Sequence, residues 1–193
     1  MCNSQTRLIL ASTSPRRKAL LARLNLPFEV ISPAFDEVSL DDFSAKEEAL
    51  AFAEGKARSV AQGLKKGIVI GSDTLIEWEG KKIGKPRDAA DAKRILCDLQ
   101  GRSHVIWTGV FLMDMSDGTT EGLVEKVTVT LFPMSAAEIE DYVETGEPLD
   151  KAGAYAVQGV GRKFIRSLQG DPLAAIGLPL RPIRRFLKSR NWL

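Results

Sequence analysis

The side chains best suited to chemistry begin in the stretch LILASTSPRRKALLARL, Leu8 to Leu24. An apolar run, Leu8 to Leu10, reads as a buried strand. Ser12, Thr13 and Ser14 break it as a polar turn, and a helix is predicted from Pro15. Ser14 suits the cap, because its side chain accepts from the amides of the first turn. Pro15 suits the first helical position, where no N–H is needed. The other amides of that turn point at whatever lies in front of it. Arg16 and Arg17 follow at once, and cations there oppose the helix dipole at about 0.3 to 1 kcal/mol each when exposed. An anion in front of the turn would reverse that cost, with amides, hydroxyls and guanidinium groups all facing its oxygens. A solvated arginine pair on a surface helix is the competing reading.

Three further elements carry candidate groups. Ser44 and Glu47 form a capping-box pattern that opens a helix to about Gln62, with Ala49, Phe52, Ala53, Ala57 and Val60 as its apolar stripe. Lys56 falls into that stripe, four residues from both Phe52 and Val60. An inward lysine either snorkels to the edge or meets an anion, since burying an unpaired ammonium costs several kcal/mol. Asp36 and Glu37 follow a strand predicted over Pro27 to Ile31, as a solvated acidic loop or as part of a site. GIVIGS, Gly67 to Ser72, reads as a strand buried on both faces, with Asp73 at its carboxyl end, where ligand sites gather in open α/β sheets.

Composition narrows the chemistry. The chain has 193 residues, 44% hydrophobic and 27% charged, as for one globular domain with an adequate core. A formal net charge of +2 gives no global basic signature, so nucleic acid is not the expected partner. Cys2 and Cys97 stand far apart outside any metal spacing, and thiols in a reducing compartment are expected. With His104 as the single histidine, neither a zinc site of the usual kind nor a histidine-based triad is expected, and His104 is expected to make a structural hydrogen bond. A metal, if present, would be a hard ion on oxygen ligands. No signal-peptide or membrane-spanning run is present, so a cytoplasmic location is expected.

The remaining pattern alternates strands and helices. Leu75 to Trp78 with Glu79 and Gly80 suggests a hairpin, and a helix is predicted from Asp88 to near Gly101. Strands are predicted over Ser103 to Asp114 and Gly122 to Phe132, then a helix from the Ser135 cap to Val143. A turn-rich stretch, Gly146 to Gly159, precedes a strand over Lys163 to Leu168 and a closing helix from Leu180 to Leu187. Neither known phosphate loop is present. Gly80 to Asp88 fails the P-loop pattern because Pro86 follows Lys85, and Phe164 stands where a dinucleotide fingerprint needs its third glycine.

Taken in order, ASTSPRR (11–17), DE (36–37), GKA (55–57), GSDT (71–74), GKP (84–86), GRSHVIWTG (101–109), GEPLDKAGAYAVQG (146–159) and GLPL (177–180) resemble the Maf proteins over essentially the whole chain. These are nucleoside triphosphate pyrophosphatases related in fold to the inosine triphosphate pyrophosphatases. The resemblance implies an α/β fold, a mixed twisted sheet with flanking helices and two lobes around a central cleft, as one domain over residues 1–193. It implies hydrolysis of a nucleoside triphosphate to monophosphate and pyrophosphate with Mg2+ or Mn2+. By position, Ser12, Arg17, Lys56 and Lys85 would hold the phosphates, and Glu37 and Asp73 would serve the metal and the attacking water. Arg16, Thr74 and Gln158 match the branch of dTTP/UTP pyrophosphatases, where the 7-methyl-GTP branch carries a bulky aromatic, Gln and Glu. An amide at Gln158 offers donor and acceptor to the imide edge of thymine or uracil. GDPLAAIG, Gly170 to Gly177, departs from that branch in lacking aromatic and amide residues. The resemblance also implies a homodimer. Open alternatives are a 7-methyl-GTP or modified-nucleotide pyrophosphatase and a non-catalytic nucleotide-binding regulator of septum formation.

Overall fold

The computed structural model describes residues 7–193. Cys2 therefore lies outside the described residues, and Cys97 is an exposed free thiol. The strands are β1 (Leu8–Ala11), β2 (Glu29–Ile31), β3 (Ile68–Trp78), β4 (Lys81–Ile83), β5 (Ser103–Asp114), β6 (Thr120–Leu131) and β7 (Ile165–Gln169). The helices are α1 (Pro15–Ala22), α2 (Ala45–Ala61), α3 (Ala89–Leu99), α4 (Ala136–Glu144), α5 (Pro172–Ile176) and α6 (Leu180–Ser189). One sheet runs in the order β2-β1-β3-β5-β6-β7, with β4 on β3. It is mixed: β1 is parallel to β2 and β3, whereas β4 on β3 and β7 on β6 are antiparallel. The α/β class with a mixed sheet and flanking helices is the one expected from the sequence.

The chain divides into two compact units. One comprises the chain up to Asp73, Thr108–Val124 and Gly177–Leu193, and the other comprises Thr74–Trp107 and Glu125–Ile176. In the first, α2 presses Ala53, Ala57 and Val60 onto Ile9, Val69 and Phe111. Two glycines set how close it lies. A Cβ at Gly71 would stand 2.1 Å from the Ala53 carbonyl oxygen, and one at Gly109 would stand 2.2 Å from that of Ala49. Any side chain at either position pushes the helix backbone, and Lys56 with it, off the strands. The Ser44–Glu47 capping box is present and fixes the start of this helix.

In the second unit, α3 and α4 bury Ile95, Leu96, Leu99 and Ile139 against Ile76, Val127 and Val129. The β3–β4 hairpin turns through Glu79 and Gly80, both at positive φ (50° and 75°), which matches the twist of the flanking strands. Several boundaries differ from the sequence pattern. The strand expected to end at Ser72 runs on to Trp78, because Leu75 and Ile76 continue its apolar pattern and β4 supplies a pairing partner for Ile76 to Trp78. Asp73 is thus inside β3, not at its carboxyl end. The pairing with β1 does stop at Ala11 and Gly71, so Asp73 stands two residues beyond the end of that neighbour. β2 starts at Glu29 instead of Pro27, and the strand expected from Lys163 begins at Ile165 after a 3-10 turn over Gly159–Phe164.

His104 sits in the second unit, 2% exposed, edge-on to Tyr155. Its Nε2 lies 2.7 Å from the Tyr155 hydroxyl, and its buried Nδ1 has no partner among the described residues. A proton on Nε2, donated to Tyr155, leaves only a lone pair stranded, which costs less than stranding an N–H. Burial lowers its pKa from 6.5 to about 4. Between those values the unfolded chain binds a proton that the folded chain refuses. Stability is therefore fully present above pH 6.5 and falls by roughly 3 kcal/mol as pH drops to about 4. Denaturant titrations at pH 7 and 4.5 measure this, and His104→Gln should flatten the difference.

Candidate active site

The turn after β1 carries out what its residue types suggest. Ser14 caps α1, accepting from the Arg17 amide, while its own amide donates to Ser12 Oγ at 3.1 Å. Ser12 is 3% exposed. Arg17 does not run into solvent. Its Nε donates to the Gly177 carbonyl at 3.0 Å, Nη1 reaches Ser12 Oγ at 3.5 Å, and Nη2 lies 3.9 Å from Asp73 Oδ1. Burial lowers its pKa, with Asp73 and Glu37 opposing, and a guanidinium in this position stays charged. Ser72 faces the same Gly177 carbonyl and that of Gly109, both at 2.9 Å, which holds β3 and the start of the GLPL turn together.

Lys56 resolves its two readings in favour of an anionic partner. The ammonium lies 2.5 Å from Asp73 Oδ1 and 2.6 Å from Glu37 Oε1. Lys56 and Asp73 are each 5% exposed, whereas the Glu37 side chain is 47% exposed. One buried cation therefore gathers two carboxylates, with Arg17 as the second cation beside Asp73. Burial pushes the Asp73 carboxyl above its ordinary pKa, with Lys56 and Arg17 working against that shift. A carboxylate made more basic by burial is suited to accept a proton.

Glu37 is held from two sides. Phe35 packs edge-on against Phe52 of α2, with ring centroids 5.8 Å apart, and fills the space over Gly55, where a Cβ would meet its ring at 2.1 Å. Three residues after Glu37, the Leu40 amide donates to Glu48 at 2.8 Å, and Glu48 is 2% exposed. The segment that brings Glu37 to Lys56 is thus tied to the helix that carries Lys56. Phe35 and Glu48 carry no role in the sequence reading, and Gly55 enters it only within the GKA motif. Glu48 did carry a signal, since it lies four residues before Phe52 in the apolar stripe. Phe35 on Gly55 is a tertiary contact with no periodicity to betray it.

A family model described as Maf-like protein matches residues 7–190. The chain belongs to the Maf family. A dTTP/UTP pyrophosphatase of Moorella thermoacetica is 44% identical over 184 residues, 94% of each chain. The protein of the same name from Bacillus cytotoxicus is 41% identical over 181 residues, again 94% of each. That from Carboxydothermus hydrogenoformans is 39% identical over 186 residues, 96% of this chain and 98% of its own.

The other positions that the Maf resemblance singles out are placed as follows. Arg16 is half-buried on α1 beside Arg17. Thr74, half-buried on β3, and exposed Lys85 and Gln158 belong to the second unit. Lys85 stands between buried Pro86 and Gly84, whose carbonyl accepts from the Gly153 amide at 3.1 Å, so its loop is fixed at the backbone. Lys151 pairs locally, 2.5 Å from Asp150 and 2.7 Å from the Glu147 carbonyl. Among the described residues no helix is long and apolar enough to cross a membrane.

Proposed function

We propose that this Maf chain hydrolyses dTTP and UTP to the nucleoside monophosphate and pyrophosphate. The observation that carries this reading is Lys56, buried between Glu37 and Asp73 with Arg17 alongside. Two carboxylates and two cations in one place suit a polyanion that must be gripped while water attacks it. The names of the relatives supply the base.

The donor set suits a hard divalent cation. Oxygens of Glu37 and Asp73 meet at the Lys56 ammonium, and among the described residues no cluster of three or more His, Cys, Asp or Glu stands ready to hold a metal. That is the arrangement Mg2+ or Mn2+ takes with nucleotides, where one or two carboxylates are completed by phosphate oxygens and water. Glu37 and Asp73 would hold the ion, which when bound neutralises phosphate charge and polarises the phosphoryl group.

The protein's own residues account for the remaining steps. Ser12, Arg17, Lys56 and Lys85 bind the triphosphate oxygens. As phosphate oxygens take up the Lys56 ammonium, Asp73 is released from it to accept the proton of the attacking water. The water oxygen bonds to the α-phosphorus, the bond from that phosphorus to the bridging oxygen of the β-phosphate breaks, and pyrophosphate leaves. The same cations neutralise the charge that develops on it. Arg16, Thr74 and Gln158 select the base. The same proposal includes a single functional domain acting as a homodimer in the cytoplasm.

Pyrophosphate release from a panel of nucleoside triphosphates with Mg2+ or Mn2+ tests the reading. Release from dTTP and UTP ahead of the rest is expected. Preference for 7-methyl-GTP or a modified purine nucleotide would reassign the substrate. No release from any triphosphate would leave a nucleotide-binding protein without turnover.

A further inference from the structure

The six residues Ala156 to Gly161 that present Gln158 are clamped by one carboxylate and one phenol. Glu147 follows α4 across Gly146, whose φ of 73° needs a glycine, and the two oxygens of Glu147 point back at this loop. Oε1 accepts from the Val160 amide at 3.0 Å, and Oε2 accepts from the Gly161 amide at 2.8 Å and the Tyr142 hydroxyl at 2.7 Å. The Tyr142 oxygen in turn accepts from the Ala156 amide at 3.0 Å. The pair thus holds the backbone two residues before Gln158 and two and three residues after it.

The clamp is rooted in the core and closely fitted. Tyr142 is 1% exposed and packs on Phe164, with ring centroids 5.1 Å apart. A Cβ at Gly159 would come within 2.1 Å of Glu147 Oε1, and one at Gly161 within 2.3 Å of the Tyr142 oxygen. Both glycines are therefore required for the loop to approach. Burial opposes ionisation of Glu147, but the hydrogen bonds from Tyr142, Gly161 and Val160 outweigh it and keep the carboxyl below its ordinary pKa. Gln158 itself stays extended and exposed, with its side chain outside the clamp.

We propose that Glu147, acting with Tyr142, is a positioning residue that fixes Gln158 for recognition of the pyrimidine base. This rests on Gln158 reading the base. An amide tells an imide edge from other bases only if its donor and acceptor are held in register, and a loop free to shift loses that discrimination.

Binding separates positioning from general support of the fold without requiring turnover. Dissociation constants are measured by calorimetry for α,β-methylene-dTTP, which carries the base, and for inorganic tripolyphosphate, which does not. The proteins are wild type, Glu147→Gln, Glu147→Asp, Tyr142→Phe, Gln158→Ala and the Glu147→Gln/Gln158→Ala double variant. Glu147→Gln and Tyr142→Phe should each weaken the nucleotide analogue about tenfold and leave tripolyphosphate within about twofold. Glu147→Asp should recover part of the loss, and Glu147→Gln should add nothing in the Gln158→Ala background. Equal weakening of both ligands, or no weakening, overturns the positioning role. Gln158→Ala without effect on the analogue removes the base reading and the proposal with it. If Gln158→Ala weakens the analogue and Glu147→Gln does not, the positioning role alone fails. Wild-type turnover of dTTP, followed in the same preparation, reports on the proposed hydrolysis independently.

Discussion

Asp73→Asn lowers kcat for dTTP by about 10^2 to 10^4-fold, the range that loss of a general base produces. The change is isosteric. The amide oxygen still accepts from Lys56, so the buried ammonium keeps its contact at the position where it lies 2.5 Å from Oδ1. What is lost is the capacity to take a proton, together with one of the two carboxylate charges offered to a divalent cation. KM should change far less than kcat, and the thermal midpoint should fall, because the buried Lys56 and Arg17 cations lose the charge of Asp73. A variant with near wild-type kcat would remove Asp73 from the chemistry and pass the base role to Glu37. That outcome would be surprising for a side chain that is 47% exposed, because an open carboxylate lacks the burial that raises basicity.

Lys56→Met has the second large effect, and it acts on both stability and rate. Methionine matches the length of the lysine stem and suits its buried position in the apolar stripe of α2. The Asp73 carboxylate then stays buried with Arg17, 3.9 Å away, for compensation. Removing one partner of a buried ion pair costs about 3 to 5 kcal/mol, and the lower end applies here because Arg17 remains beside Asp73. Turnover should fall by about 10^3-fold or more, since a cation is withdrawn from the developing charge of the leaving pyrophosphate. Denaturant titration reads the first effect and dTTP kinetics the second. Unchanged stability would mean that Asp73 already has sufficient partners without Lys56, and unchanged turnover would remove Lys56 from the phosphate grip.

Much of this site is legible from residue spacing. A lysine in the middle of an apolar helical stripe has few options, and Lys56 takes the anionic one. Two arginines at the head of α1 oppose its dipole, and Arg17 turns back onto Ser12, Gly177 and Asp73 in a way that explains its place. The strand-end rule that points to Asp73 holds for β1 more than for its own strand, since β3 runs on to Trp78. The hidden parts are contacts between segments distant in sequence. Phe35 filling the space over Gly55, and Glu48 holding the Leu40 amide, leave no periodic mark. The 3-10 turns of residues 147–164 follow from how Glu147 and Tyr142 gather backbone amides, which composition alone does not encode. The branch that Arg16, Thr74 and Gln158 match rests on family likeness and has no counterpart in hydrophobic pattern.

Attack of water at the α-phosphorus is read directly by turnover of dTTP in water enriched in 18O. Mass spectrometry of the products should find one heavy oxygen in thymidine monophosphate and none in pyrophosphate. Heavy oxygen in pyrophosphate, or release of orthophosphate with thymidine diphosphate, would place the attack at the β- or γ-phosphorus and rule out attack at the α-phosphorus.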